Sequence, residues 1–174
     1  LRGTADLVLC YHGGDLRLRG YSDVDWASDR DGRKSTSGYA FILGGGAISW
    51  SSKKQTCIAL PTMEAEYVAC SAAVQEAVWL RRFLQRLDVT AHSKGPVLMY
   101  CDSTAALAYV RDPKYHGKTK HIDVRYHFIR DMVARGEVIL HHISTGMMVA
   151  DPLTKPIARD VFLSHARSMG LCRI

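Results

Sequence analysis

The chain lacks the cysteine pattern of a disulfide scaffold or a thiolate zinc site. Its five cysteines, Cys10, Cys57, Cys70, Cys101 and Cys172, are odd in number, scattered, and form no CxxC pair. The expectation is free, mostly buried thiols in a reducing intracellular compartment, with no disulfide partner. No apolar run approaches the roughly eighteen residues that a membrane span needs, so no membrane partner is expected. No signal peptide is recognisable and the first residue is Leu1 rather than Met, which points to a piece of a longer chain. Internal repeats and low-complexity stretches are missing too, so 1–174 is read as a single domain.

What is present fits a domain with a real core: 174 residues, 47% hydrophobic and 23% charged, the ordinary balance of a soluble globular fold. The formal charge of +6 and a pI near 9.2 suit a polyanionic partner without requiring one.

Leu7 to Tyr11 reads as a short strand closed by Gly13-Gly14. Leu16 to Trp26 alternates, with Leu16, Leu18, Val24 and Trp26 on one side and Arg17, Arg19, Tyr21, Asp23 and Asp25 on the other. After a polar loop come strands over Gly38–Leu43 and Ala47–Ser51, joined through Gly44-Gly45-Gly46 as a hairpin. Pro96–Cys101 is nearly all apolar, as in a strand buried on both faces, and delivers Asp102 at its end. A short helix over Ser103–Val110, a basic loop over Lys114–Lys120, a helix over His121–Arg135 and a strand over Val138–Ile143 follow. Ala150-Asp151 opens a last helix reaching about Ser168. The pattern is a mixed sheet with helices on it.

The longest helical pattern starts near Leu60-Pro61-Thr62 and runs to about Leu87. Met63, Tyr67, Cys70, Val74, Ala77, Leu80, Leu84 and Leu87 recur at steps of three and four. At about 100° per residue, Glu66 points roughly 25° from the mean of that stripe and Glu64 roughly 135° away. A carboxylate on the buried flank is costly unless paired, protonated or bound to a metal.

Asp23, Glu66, Asp102 and Asp151 all stand where strands end or helices begin, beside apolar sequence. Were they to converge, they would repel one another unless cations intervened, and hard oxygen ligands suit Mg²⁺. A bland alternative exists for each. Asp102 and Asp151 could cap helices, Asp23 could be a turn residue, and Glu66 could pair with an arginine. The alternation also leaves Asp23 and Asp25 equivalent.

The segments Tyr21-Ser22-Asp23-Val24-Asp25-Trp26-Ala27, Arg33-Lys34-Ser35-Thr36-Ser37-Gly38-Tyr39, Trp50-Ser51-Ser52-Lys53-Lys54-Gln55, Glu64-Ala65-Glu66-Tyr67, Cys101-Asp102-Ser103, Lys120–His127 and Ala150-Asp151-Pro152-Leu153-Thr154-Lys155 resemble, in order, the ribonuclease H domain of copia-type LTR retrotransposon polyproteins. Any one is weak; the ordered set is specific and covers nearly the whole chain. The resemblance implies an α/β ribonuclease H-like fold, a five-stranded mixed sheet in order 3-2-1-4-5 with helices on both faces. Residues 1–15 would be a lead-in from an upstream reverse transcriptase and 16–174 the fold proper.

It further implies endonucleolytic cutting of RNA in RNA–DNA hybrids with two Mg²⁺ ions, with Mn²⁺ as a substitute. Asp23, chosen over Asp25, would hold both ions. Glu66 and Asp102 would hold the ion on the leaving-group side, and Asp151 the ion that activates water. The implied partners are the hybrid and the upstream polymerase domain; the implied location is a cytoplasmic retroelement particle. Many ribonucleases H carry a mobile His before the last Asp; here Ser144-Thr145-Gly146-Met147-Met148-Val149 has none, which implies slow turnover.

A hybrid presents 2′-hydroxyls and a wide, shallow minor groove. Polar groups and cations near the metals are therefore expected to touch it: Arg33, Lys34, Ser35, Thr36, Ser52, Lys53, Lys54, Gln55, Ser103, Lys118 and Lys120. Of the tryptophans, Trp26 and Trp50 could stack on sugar or base, and Trp79 reads as structural. His116, His121 and His127 share no helix face and no nearby cysteine, so zinc is not expected. The competing readings are a non-cleaving or host-adopted copy that only binds duplex or hybrid, and a transposase or junction resolvase on the same sheet.

Overall fold

In the computed structural model the described residues are 2–26, 34–56, 62–88, 95–111 and 120–173, with backbone only at 2, 62–63, 109, 111 and 120–123. Among the described residues seven strands form: β1 (Leu7–Leu9), β2 (Arg19–Asp25), β3 (Thr36–Leu43), β4 (Gly46–Lys54), β5 (Val97–Cys101), β6 (Val138–His142) and β7 (Leu171–Arg173). Four α-helices accompany them: α1 (Thr62–Arg86), α2 (Thr104–Arg111), α3 (Lys120–Ala134) and α4 (Arg159–Ser168). The main sheet has the order β4-β3-β2-β5-β6. β4, β3 and β2 meander antiparallel, and β5 and β6 continue parallel to β2. This is the expected 3-2-1-4-5 mixed sheet of an α/β fold.

The hairpin between β3 and β4 turns on Gly44 and Gly45, at φ 58° and 83°. Two consecutive positive-φ residues suit a two-residue turn that only glycine enters without strain. β4 continues to Lys54, three residues beyond the expected Ser51, so Ser52-Lys53-Lys54 lies on a strand rather than in a loop. Its partners are Gly38, Ser37 and Thr36.

The expected apolar stripe of α1 is buried from Tyr67 to Leu84, against Phe41, Met99 and Val138 of the sheet and Tyr126, Ile129 and Met132 of α3. Leu87 falls beyond the helix and is exposed, and the side chain of Met63 lies outside the described residues. Ser103 sits before the first turn of α2, where its Oγ accepts the Ala106 N–H at 3.1 Å. That cap leaves the neighbouring Asp102 carboxylate free for other work.

Two expectations fail. The last helix is broken: Asp151–Leu153 is a single 3-10 turn and α4 begins only at Arg159. Pro152 fits a first turn, but Pro156 has no N–H to continue one. The cysteines are not all free either. β1 pairs antiparallel with β7, placing Val8 opposite Cys172, and the Cys10 N–H donates to Gly170 O at 2.7 Å. That register brings Cys10 and Cys172 to a Cα separation of 6.4 Å, and they form a disulfide. The expectation of no disulfide partner is thus overturned. Strand pairing between distant ends of the chain joins the two cysteines, and no local spacing reports it. Cys70 and Cys101 are free and buried; Cys57 lies outside the described residues.

Candidate active site

β2 and β5 run parallel, and their register ends with Ser22 opposite Cys101. The next residue on each chain is an acid, Asp23 and Asp102, side by side where the ladder stops. Glu66 approaches from the first turns of α1. One ligand atom each of Glu66, Cys101 and Asp102 lie within 4.8 Å of one another. The Glu66 carboxylate, on the buried flank of the α1 stripe, therefore meets Asp102.

Asp151 arrives on the isolated turn between β6 and α4. Its carbonyl accepts the N–H groups of Thr154 (3.1 Å) and Lys155 (3.2 Å), so the turn carries three functional side chains together. Thr154 Oγ1 donates to Asp23 Oδ2. Lys155 Nζ lies 3.0 Å from Asp151 Oδ1 and 3.5 Å from Asp23 Oδ2. Gly38, opposite Asp23 on β3, makes room for this turn: a Cβ there would stand 2.7 Å from Thr154 Cγ2 and 3.0 Å from Leu153 Cβ. Asp102 is held by Thr145 Oγ1, on the 3-10 turn that follows β6, which donates to Oδ2 at 3.1 Å. Neither Asp102 nor Asp151 caps a helix: Ser103 performs that role for α2, and the turn at Asp151 has Ala150 before it without a side-chain cap.

Burial dominates the electrostatics. It pushes the Asp23 carboxyl up to about 6, with Thr154 and Lys155 pulling it down and the charges of Asp151 and Asp102 adding to the rise. Burial likewise pushes Glu66 up to about 8, helped by the charges of Asp102 and Asp23 and opposed by Lys155. Asp23 thus feels Asp102 and Asp151, and Glu66 feels Asp102 and Asp23, as expected of carboxylates crowded into one place. The thiols of Cys70, raised to about 12, and Cys101 are also driven upward by burial, so both stay protonated near neutrality. The donors on offer are therefore hard carboxylate oxygens.

The expected nucleic-acid contacts divide. Asp23, Gly38 and Ser52 occupy one rung across β2, β3 and β4, so Ser52 stands about 10 Å from Asp23 along the sheet. Ser52, Lys53 and Lys54 are exposed, and Lys34, Thr36 and Ser103 are half-buried. Ser35 and Gln55 are buried, which corrects their expected contact role. Gln55 Nε2 donates to Ser37 Oγ (2.7 Å) and to the α1 carbonyl of Ala65 (2.9 Å), and the Gln55 N–H to Ser35 O (2.8 Å). These bonds tie the first turn of α1, and with it Glu66, to the sheet. Arg33 and Lys118 lie outside the described residues, as does the side chain of Lys120. Trp79, expected to be structural, is 57% exposed and stacks on Phe83 at 5.1 Å between ring centroids.

Sequence reasoning missed Thr145, Thr154 and Lys155 as parts of the site. The signal for the latter two was available: positions three and four beyond Asp151 share its face on any helical turn.

No protein-family model matches the chain. The retrovirus-related Pol polyprotein from transposon TNT 1-94 of Nicotiana tabacum is 50% identical over 162 residues, 93% of this chain. The corresponding polyprotein from transposon RE1 of Arabidopsis thaliana is 40% identical over the same share. The chain spans only 12% and 11% of the length of these two relatives. Among solved structures, LC11-RNase H1 in complex with RNA/DNA hybrid superposes with TM-score 0.57 at 17% identity, covering 79% of this chain and 94% of that one. The prototype foamy virus protease-reverse transcriptase matches with TM-score 0.51 at 14% identity, over 92% of this chain and 21% of that one. At such identities the structures speak for the fold. The homologues of this chain are retrovirus-related Pol polyproteins of transposons, and its fold is that of ribonuclease H domains.

Proposed function

We propose that the chain is the ribonuclease H domain of a copia-type retrotransposon polyprotein. It would cut the RNA strand of RNA–DNA hybrids with two divalent metal ions, downstream of a reverse transcriptase, in the cytoplasmic particle of such an element. The observation that carries this reading is the gathering of Asp23, Glu66, Asp102 and Asp151 at the ends of β2 and β5, with Asp23 and Glu66 held well above the usual carboxylate range. Crowded, partly desolvated carboxylates call for cations, and an all-carboxylate donor set beside protonated thiols fits Mg²⁺. The hybrid bound by the LC11 enzyme and the polyprotein relatives support the choice of substrate and of upstream partner.

Asp23, central among the acids, would hold both ions. Glu66 and Asp102 would hold the one on the leaving-group side and Asp151 the one beside the attacking water. Thr154 fixes the Asp23 rotamer and Thr145 that of Asp102. Ions bound by these four carboxylates would supply an activated water and stabilisation of the departing oxygen. Glu66 must lose its proton to take part, so ion binding releases protons. Ser52 shares the rung of Asp23 and Gly38, and with Lys53 and Lys54 at the end of β4 it would contact a phosphate backbone.

The test is cleavage of a labelled RNA–DNA hybrid beside single-stranded RNA and DNA duplex, each with Mg²⁺ or with chelator. Cutting of RNA in the hybrid, with Mg²⁺ alone, is expected. Binding without cutting would favour the non-cleaving alternative, and cutting that persists in chelator would overturn the metal site.

A further inference from the structure

Lys155 is the one described cation in contact with two of the acids, and nothing in the proposed chemistry uses it. Its backbone is fixed by the hydrogen bond to Asp151 O, and Pro156 ends the turn immediately after it. The ammonium bridges Asp151 Oδ1 and Asp23 Oδ2, on side chains only 6% and 2% exposed. The lysine side chain is itself 29% exposed, so its flexible stem has a route to solvent. Thr154 Oγ1 already donates to the same Asp23 oxygen. One turn therefore supplies a carboxylate, a hydroxyl and a tethered positive charge to one spot.

We propose that Lys155 is a positioning residue that acts as a built-in counter-cation, competing with divalent ions for Asp23 and Asp151. This rests on the reading of these acids as metal ligands. The ammonium holds the two carboxylates at bridging distance without forcing them apart. A divalent ion with twice the charge displaces it toward solvent. Lys155 thereby sets the ion concentration at which the site fills, and keeps the four-acid cluster folded at concentrations below that. A purely structural lysine would stabilise the fold but leave ion affinity unchanged. A lysine that helped hold the ions or the substrate phosphate would weaken ion binding when removed.

The experiment is Mg²⁺ titration calorimetry on the 174-residue chain, paired with melting in EDTA and in Mg²⁺, for wild type, Lys155→Met, Lys155→Arg and Asp23→Asn. Lys155→Met is expected to bind Mg²⁺ about tenfold more tightly. It should also melt lower than wild type in EDTA and gain more from Mg²⁺. Lys155→Arg should stay near wild type. Should Lys155→Met not fold in EDTA, Lys155→Gln carries the same expectation. Unchanged or weaker Mg²⁺ binding in both charge-removing variants overturns the proposal, while binding by wild type that is lost in Asp23→Asn leaves the metal-site reading standing. Wild type without any Mg²⁺ binding would instead remove the reading on which the proposal rests.

Discussion

Asp23 and Asp25 are indistinguishable by alternation, yet the fold treats them differently. Asp23 is buried beside Thr154 and Lys155, whereas Asp25 is half-buried at the strand end. The difference comes from the turn at Asp151, whose Thr154 reaches Asp23 across 131 positions, and no local pattern encodes that. Glu66 was legible because a helix converts spacing into direction; its carboxyl stands at about 8 for the reason the stripe suggests, burial. These shifts have a consequence for stability. With folded values of about 6 for Asp23 and about 8 for Glu66, the folded chain keeps protons that the unfolded chain, near 4, has released. Their stabilising contribution is complete below about pH 4 and is lost as pH rises through 6 and then 8. In chelator, the urea midpoint should therefore fall between pH 5 and 8.5, and Glu66→Gln should remove most of the fall above pH 7. A midpoint that rises over that range would contradict the burial of these acids.

Among the elements, the five strands of the main sheet and the long helix were readable, because alternation, apolar runs and the three-four stripe each persist over enough residues to be recognised. β7 was not, being three residues long and defined only by its partner β1. The broken last helix could have been foreseen from Pro156. The disulfide joining these small strands closes the chain across 162 positions. Cross-linking so distant a pair restricts the unfolded chain, and Cys172→Ser should lower stability by about 2–4 kcal/mol. Because β1 and β7 form a separate two-stranded sheet, hybrid cleavage by the variant under native conditions should persist. Denaturation of reduced and oxidised wild type, beside Cys172→Ser, checks this. Equal midpoints for all three would show that the bridge contributes nothing.

At the scale of the whole molecule, the sheet gathers residues from four separated stretches. β2 supplies Asp23, α1 supplies Glu66, the end of β5 supplies Asp102, and the turn before α4 supplies Asp151. Each supporting contact comes from another element: Gln55 ties α1 to the strands, Thr145 reaches Asp102, and Gly38 admits the Asp151 turn. The chain carries a formal net charge of +6, and Lys53 and Lys54 lie exposed along β4. Attraction of a polyanion to exposed cations weakens as salt rises. The most direct measurement is the single-turnover rate of hybrid cleavage by Asp102→Asn in saturating Mg²⁺, with circular dichroism recorded on the same sample. Asparagine keeps an oxygen for Thr145 and removes only the charge. An unchanged spectrum with a rate lower by at least about a hundredfold is predicted. A folded Asp102→Asn protein that cuts at the wild-type rate would contradict the account.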